Sequence, residues 1–360
     1  MQTHNLGIIG YGSMATWHHR NLLERAPEVV PYGAYDIDSE RNEAAKEAGL
    51  KVYESAEALL ADPAIDLVLV ATTNNFHGSY AKQVMRAGKP VILEKPATIT
   101  SQEFLEVMEV QKETGMHLSV HQNRRWDGDY LTVRQSIRDG LIGRPYLIKS
   151  RVHGSRGIPE GWRTHVETGG GMMLDWGVHL IDQVIQMVPE PLTHVRAHMQ
   201  HTAFSQVDDG FTLELIFHSG LTAHIEVDTC CFVGEDRWHV RGDQGTIQVK
   251  SWDIDGGIVR AKDKHTDWEE EILYTSAGPT KTMAPRTRFS EERLELNPVE
   301  QDWLSFYHNF AAAIEGREQL IVKPEHVLFV IRVMEAAFES SDHRSVVPIS
   351  FTLDNPSAGM

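Results

Sequence analysis

Residues 6–15 read LGIIGYGSMA. A short apolar run breaks at Gly10-Tyr11-Gly12, and Ser13-Met14-Ala15 opens a helical segment that stops before Pro27. The pattern fits G-x-G-x-x-[G/A], and a strand before it with a helix after it is the setting that gives it meaning. Gly10 permits the tight turn, Gly12 lets the backbone approach a pyrophosphate, and Ala15 keeps helix and strand close. The helix start offers free N–H groups and a partial positive charge to phosphate. Gly10, Gly12, Ser13, Met14 and Ala15 are therefore candidate dinucleotide contacts.

Working outward, VVPYGAYD (29–36) reads as a second strand ending in Asp36. A carboxylate there accepts hydrogen bonds from ribose hydroxyls and repels a 2′-phosphate. Asp38 adds negative charge and Arg41 is the nearest cation, so NAD is expected over NADP. Helices are expected over 39–49 and 77–88, and a short one near Pro63. Strands are expected at KVYES, IDLVLVATT (65–73), PVILEKP (90–96) and MHLSVHQN, with a helix at SQEFLEVMEVQKETG. The near-continuous apolar strands and the β–α alternation predict a doubly wound parallel sheet over residues 1–122. Thr72, Asn74 and His77 fall where the cofactor would lie along the carboxyl ends of the strands.

Beyond about residue 144 the pattern changes. YLIKSRVHG, HVRAHMQHT, FTLELIF, LTAHIEVDT, WHVRGD and GTIQVK read as strands, several alternating apolar and polar, with short turns such as HSG and GDQG. Two helices, about 299–315 and 324–340, close the region. Residues 123–360 are thus expected to form an α+β substrate-binding and oligomerisation domain on a mostly antiparallel open sheet. An apolar sheet face left uncovered would invite a partner, so a homo-oligomer is expected, a dimer, tetramer or larger.

Composition narrows the function classes. The chain has 360 residues, which suits two domains, and a net charge of −17. Such acidity makes nucleic acid a poor partner. No apolar run approaches a membrane span. MQTHNLGIIGYG has no basic segment ahead of its apolar residues, so it reads as a strand entry and not a signal peptide. Cys230 and Cys231 are the only cysteines. Being adjacent, they do not suit a disulfide with each other, and a reducing cytoplasmic setting is expected. Nineteen histidines keep a metal site in view, but they are scattered and no metal is assigned. Trp17, His18, His19 and Met172-Met173-Leu174 read as packing, and Trp268-Glu269-Glu270-Glu271 as a solvated turn.

Glu94-Lys95-Pro96 follows the fifth strand. Together with the glycine loop upstream and Asp175-x-Gly177-x-His179 downstream, it makes the chain resemble the glucose–fructose oxidoreductase/inositol dehydrogenase/MocA family along nearly its whole length. NRRWDGDY (123–130), RVHGSRGIP…WR (151–163) and GGGMMLDWGVHLID (169–182) resemble members acting on inositol, sugars or glycosides. The resemblance implies a Rossmann domain and a catalytic group of Lys95, Asp175 and His179. It implies Glu94 and Lys95 beside the nicotinamide ribose, and Asn123 and Arg124 along the cofactor and substrate. Trp162 and Arg163 are candidate substrate contacts.

These residues suit alcohol oxidation. A histidine near its reference pKa of about 6.5 accepts a proton at neutral pH. Asp175 precedes it by one helical turn, so both share a face. Asp175 would orient the imidazole or bind a second hydroxyl. Lys95 would stabilise developing alkoxide charge, and the first proton acceptor is either Lys95 or His179. Asp182, on the same face, would orient His179 or cap a neighbour. On spacing alone, Asp175 and His179 would more often be a plain surface pair; the glycine loop and Glu94-Lys95-Pro96 reverse that. Glycines 169–171 and Gly177 would exclude bulk where nicotinamide or substrate approaches. Arg124, Asp127, Arg156, Arg163, His165 and Asp175 would meet a polyhydroxylated substrate. The expected activity is NAD-dependent oxidation of a secondary hydroxyl on a cyclic polyol, sugar or glycoside, either inositol or the C3 hydroxyl of a glucose unit. The alternatives are an NAD-requiring glycosidase, a non-catalytic nucleotide-binding regulator and, more remotely, a metal hydrolase.

Overall fold

A computed structural model describes residues 2–203, 206–262, 272–280 and 290–351. The acidic run at 268–271 lies outside them. Strands β1 (His4–Ile9), β2 (Val29–Tyr35), β3 (Lys51–Val52), β4 (Leu67–Val70), β5 (Val91–Leu93) and β6 (Leu118–Val120) form one parallel sheet. Its order is β3-β2-β1-β4-β5-β6, so the chain reverses direction of growth between β1 and β4. Helices α1 (Ser13–Arg25), α2 (Ser39–Glu47), α3 (Ala56–Ala61), α4 (Asn74–Arg86) and α5 (Ser101–Thr114) connect the strands. Every residue of β4, β5 and β6 is buried, as a sheet covered on both faces requires.

Helix starts show which termini are spoken for. Asp38, Ser55 and Thr100 cap α2, α3 and α5 with their side chains, and Thr100 with Glu103 forms a capping box. Helix α1 starts behind Gly12 with no side-chain cap and no acid in its first turn. Its N–H groups therefore point unpaired over the reversal in strand order, where a doubly wound sheet binds ligands.

A 3-10 turn (Asn123–Trp126) and α6 (Gly128–Arg138) lead into a second sheet. It comprises β7 (Pro145–His153), β8 (Leu192–Gln200), β9 (Gly210–Phe217), β10 (Thr222–Asp228), β11 (Trp238–Gly242), β12 (Gly245–Val249) and β13 (Gly256–Ala261). A small hairpin, β14 (Leu273–Thr275) and β15 (Gly278–Thr280), stands apart, and β16 (Glu291–Leu294) and β17 (Val347–Phe351) complete the large sheet. Its nine strands run β16-β13-β12-β11-β7-β10-β9-β8-β17, all antiparallel except β7 with β10. Helices α7 (Val178–Met187), α8 (Ser305–Ile314) and α9 (Pro324–His343) belong to this half.

Alternation decides which sheet face is dry. Val195, Leu213, Leu215, Ala223, Ile225 and Val240 are buried. Their neighbours in sequence turn Arg196, Glu214, His224 and Lys149 to the other face, where His224 pairs with Glu214 and Arg151 with Glu226. The expectation of an uncovered apolar face therefore fails: the strand period places polar residues there. Cys230 and Cys231 are free thiols in the loop after β10. No helix among the described residues is long and apolar enough to cross a membrane.

Candidate active site

The glycine turn is tight because it must be. Gly10 has φ +88°, and a Cβ there would stand 2.7 Å from the Ala71 carbonyl oxygen. Ala15 is fully buried against the sheet, while Ser13 and Met14 are exposed at the mouth of the turn. The buried Asp36 carboxylate accepts from the Tyr11 N–H at 2.6 Å and the Asp38 N–H at 2.9 Å, locking the turn to the end of β2. Arg41 overhangs the turn, 3.5 Å from Asp36 and 3.6 Å from Asp38. Part of the negative charge that Asp38 brings is thus spent on Arg41 and on capping α2. These features fit a dinucleotide: a bulk-free turn, an uncapped helix start and an acid at the end of β2.

Lys95 leaves the end of β5 and crosses to the second half of the chain. Its ammonium donates to the Asp175 carboxylate at 2.7 Å and to the Asp175 main-chain carbonyl at 2.9 Å. Arg163 Nε donates to the other carboxylate oxygen at 3.0 Å. Burial pushes the Asp175 carboxyl up, but the Lys95 and Arg163 charges outweigh it and bring it down to about 2. The anion is therefore fixed between two cations.

His179 lies in the same region, buried, with its Nδ1 lacking a partner among the described residues. Burial holds it well below 6.5, and the Lys95 and Arg124 charges add to the effect. The expectation of a histidine near its reference value is thus corrected: the imidazole is neutral across the neutral range. Among the described residues no hydrogen bond joins Asp175 to it; the carboxylate meets Lys95 and Arg163 instead. Nor does one join Asp182, which makes a buried two-pronged pair with Arg125 at 2.6 and 2.7 Å.

The segment between acid and imidazole is not a regular helix. Met173–Gly177 is a π-helical turn in which the Val178 N–H reaches back to the Met173 carbonyl. Such turns recur at functional sites, and this one leaves the Asp175 carbonyl turned to Lys95. Its glycine answers to protein atoms. A Cβ on Gly177 would lie 2.5 Å from Met173 Sδ, and one on Gly171, at φ +99°, 2.2 Å from Asp208 Oδ1. Close packing within the chain suffices to exclude a side chain at both positions.

Glu94 faces away from Lys95. Its carboxylate lies 2.7 Å from His18 and 2.9 Å from His121, and Tyr307 meets the far nitrogen of His18 at 2.8 Å. Burial raises Glu94, but the two histidines prevail and hold it well below the usual range. A helical face exposed this residue set in principle: Ala15, His18, His19 and Leu22 recur at the spacing that turns α1 to the sheet.

The remaining candidates divide. His77 is buried, its ring nitrogens 2.8 Å from the Pro96 carbonyl and 3.1 Å from the Thr72 carbonyl, which ties β4's end to the lysine loop. Asn74 donates to the Gly169 carbonyl at 2.9 Å and so joins α4 to the glycine lead-in. Asn123 is partly exposed in the 3-10 turn. Arg124 pairs with Asp127 at 2.9 Å and lies over the Trp176 ring at 4.3 Å. Trp162 is partly exposed under the Arg163 guanidinium at 4.4 Å. Arg156 and His165 are exposed. Arg237 and Trp252, which meet at 4.6 Å beside Arg124, had no local signal in the sequence.

Comparison with known proteins places this geometry. Residues 4–122 match the model for the oxidoreductase family NAD-binding Rossmann fold, and residues 130–248 match the GFO/IDH/MocA C-terminal domain. A solved NAD-binding protein from Listeria innocua superposes with a TM-score of 0.93 at 40% identity, covering 97% of this chain and 100% of that one. The Bacillus subtilis (strain 168) scyllo-inositol 2-dehydrogenase (NADP(+)) IolW is 29% identical, over 96% of this chain and 96% of its own. The scyllo-inositol 2-dehydrogenase (NAD(+)) of the same strain is 27% identical, over 67% of this chain and 72% of its own. With a nucleotide-binding turn, a lysine meeting an acid on a π-turn, and both halves matched, the chain belongs to the GFO/IDH/MocA family of oxidoreductases.

Proposed function

We propose that the protein oxidises a secondary hydroxyl of a cyclic polyol, sugar or glycoside with NAD, inositol and the C3 hydroxyl of a glucose unit being the foremost candidates. The observation that carries this reading is the meeting of Lys95, from the nucleotide half, with Asp175 beside a buried neutral His179. Gly10, Gly12, the start of α1 and Asp36 would hold the dinucleotide, which supplies the hydride acceptor. Lys95 spends two of its three donors on Asp175, leaving one for a substrate oxygen. There it stabilises negative charge as the hydroxyl proton departs. Neutral His179 is the proton acceptor, while Lys95, whose ammonium lies 2.7 Å from the Asp175 carboxylate, serves as the cation. Asp175 and Arg163 fix the ammonium so that substrate binding requires no rearrangement of charge.

NAD is favoured over NADP because the Asp36 carboxylate stands at the ribose position, with Arg41 partly neutralised by two acids. Family names span both cofactors, so kinetics decide. Myo-inositol, scyllo-inositol, glucose and methyl and phenyl glucosides are to be screened with each cofactor. The expected result is reduced nicotinamide from at least one of them, with kcat/KM on the order of tenfold higher for NAD. Reversed preference sinks the cofactor assignment, and no reduction across the panel sinks the reaction. Sedimentation of the same preparation tests the proposed homo-oligomer.

A further inference from the structure

A line of rings and guanidinium groups leads out of the site. The His179 and Trp176 rings stand 6.1 Å apart, and Trp176 and Trp252 another 6.1 Å. Arg124 lies over both tryptophans, at 4.3 and 5.2 Å, and Arg237 lies over Trp252 at 4.6 Å and Trp238 at 4.5 Å. Trp252 is nevertheless 46% exposed. A single exposed aromatic is ordinary; one clamped by two arginines beside a catalytic helix is a preformed surface.

Its loop supports this. Residues 250–255 join β12 to β13 and are closed by their own bonds, Lys250 N–H to the Asp255 carbonyl at 2.8 Å and Ser251 Oγ to Asp255 at 2.5 Å. Ile254 sits at φ 62°, a region that β-branched residues avoid. Such strain persists only where its surroundings enforce it, and it concentrates at functional sites. A Cβ at Gly128 would come within 3.3 Å of Ile254 Cδ1, so the loop is pressed onto the start of α6.

We infer that Trp252 is a recognition platform for the second ring of a glycoside, the first being held at Lys95 and His179. The inference rests on the proposed oxidation of a ring hydroxyl and narrows its substrate to two-ring molecules. An apolar ring face would cover the exposed indole, while Arg124 and Asp127 supply hydrogen bonds at its rim.

Phenyl and methyl β-glucoside, which differ only in the second ring, test it by calorimetric titration of the NAD-loaded protein. Native protein should bind the phenyl compound more tightly. Trp252→Ala should weaken phenyl glucoside about fivefold more than it weakens methyl glucoside, and Trp252→Phe should retain most of the difference. Equal losses for both ligands would mean that Trp252 serves only to hold Arg124, and would overturn the inference. So would no loss, or native protein that fails to prefer or to bind the phenyl compound. Turnover is scored separately: a ring preference without NADH formation condemns the proposed reaction and leaves the platform standing.

Discussion

Lys95 stands between two carboxylates that the fold treats in opposite ways. Behind it, Glu94 is buried, with its carboxylate against His18 and His121 and Tyr307 on the far side of His18. In front, Asp175 lies between Lys95 and Arg163, with its carboxyl lowered to about 2. Both acids are ionised, yet their work differs. Glu94 also accepts from the Lys95 main-chain N–H at 3.1 Å, so it holds the backbone that carries the lysine. Asp175 holds the ammonium itself. An acid's partners, more than its distance from a catalytic group, decide whether it supports the fold or the chemistry.

Substituting each acid by its amide should separate the two roles. Asp175→Asn leaves the shape intact but loosens the ammonium, and a misplacement of that kind costs about a hundredfold in kcat. Unfolding midpoints should scarcely move. Glu94→Gln should show the reverse weighting, a stability loss of roughly 1–3 kcal/mol in denaturant titrations with a smaller fall in kcat. If the amide at 94 proved the worse catalyst and the amide at 175 the less stable protein, the division of labour would be wrong.

The pH dependence offers a smaller effect. Burial lowers His179 below its unfolded value of about 6.5, helped by the Lys95 and Arg124 charges. A depressed value means stability that is present above 6.5 and is lost as pH falls through the folded value. The imidazole therefore stays neutral, and able to accept a proton, below 6.5. The acid limb of kcat/KM should lie under that pH. A limb at 6.5 or above that disappears in His179→Gln would show that the residue titrates normally.

Much of this was legible in residue order. The glycine turn, the β–α alternation and the run of buried strands are local signals, and the elements they predict for residues 1–122 match β1–β6 and α1–α5 in kind and order. The α+β second half was legible too: α9 starts at Pro324 as expected, whereas α8, expected from about residue 299, starts only at Ser305. Long-range facts were not. Nothing local pairs β7 with β10 in parallel, or brings β17 to β8. Helical spacing put Asp175 and His179 on one face, but a π-turn lies between them, and its register is set by Asp208 and Phe211 from elsewhere in the chain. Nor did residue order foretell that Glu94, expected with Lys95 beside the nicotinamide ribose, would reach His18 and His121.

In the proposed reaction Lys95 is the group that joins the two halves at the reacting carbon. Its direct test is steady-state NAD reduction by Lys95→Ala on whichever ring substrate the native protein oxidises best, with folding and NAD binding checked on the same sample. A fall in kcat of roughly three orders of magnitude, with NAD still bound, is the predicted result. A folded variant that turns over at a rate near the native one would contradict the assignment.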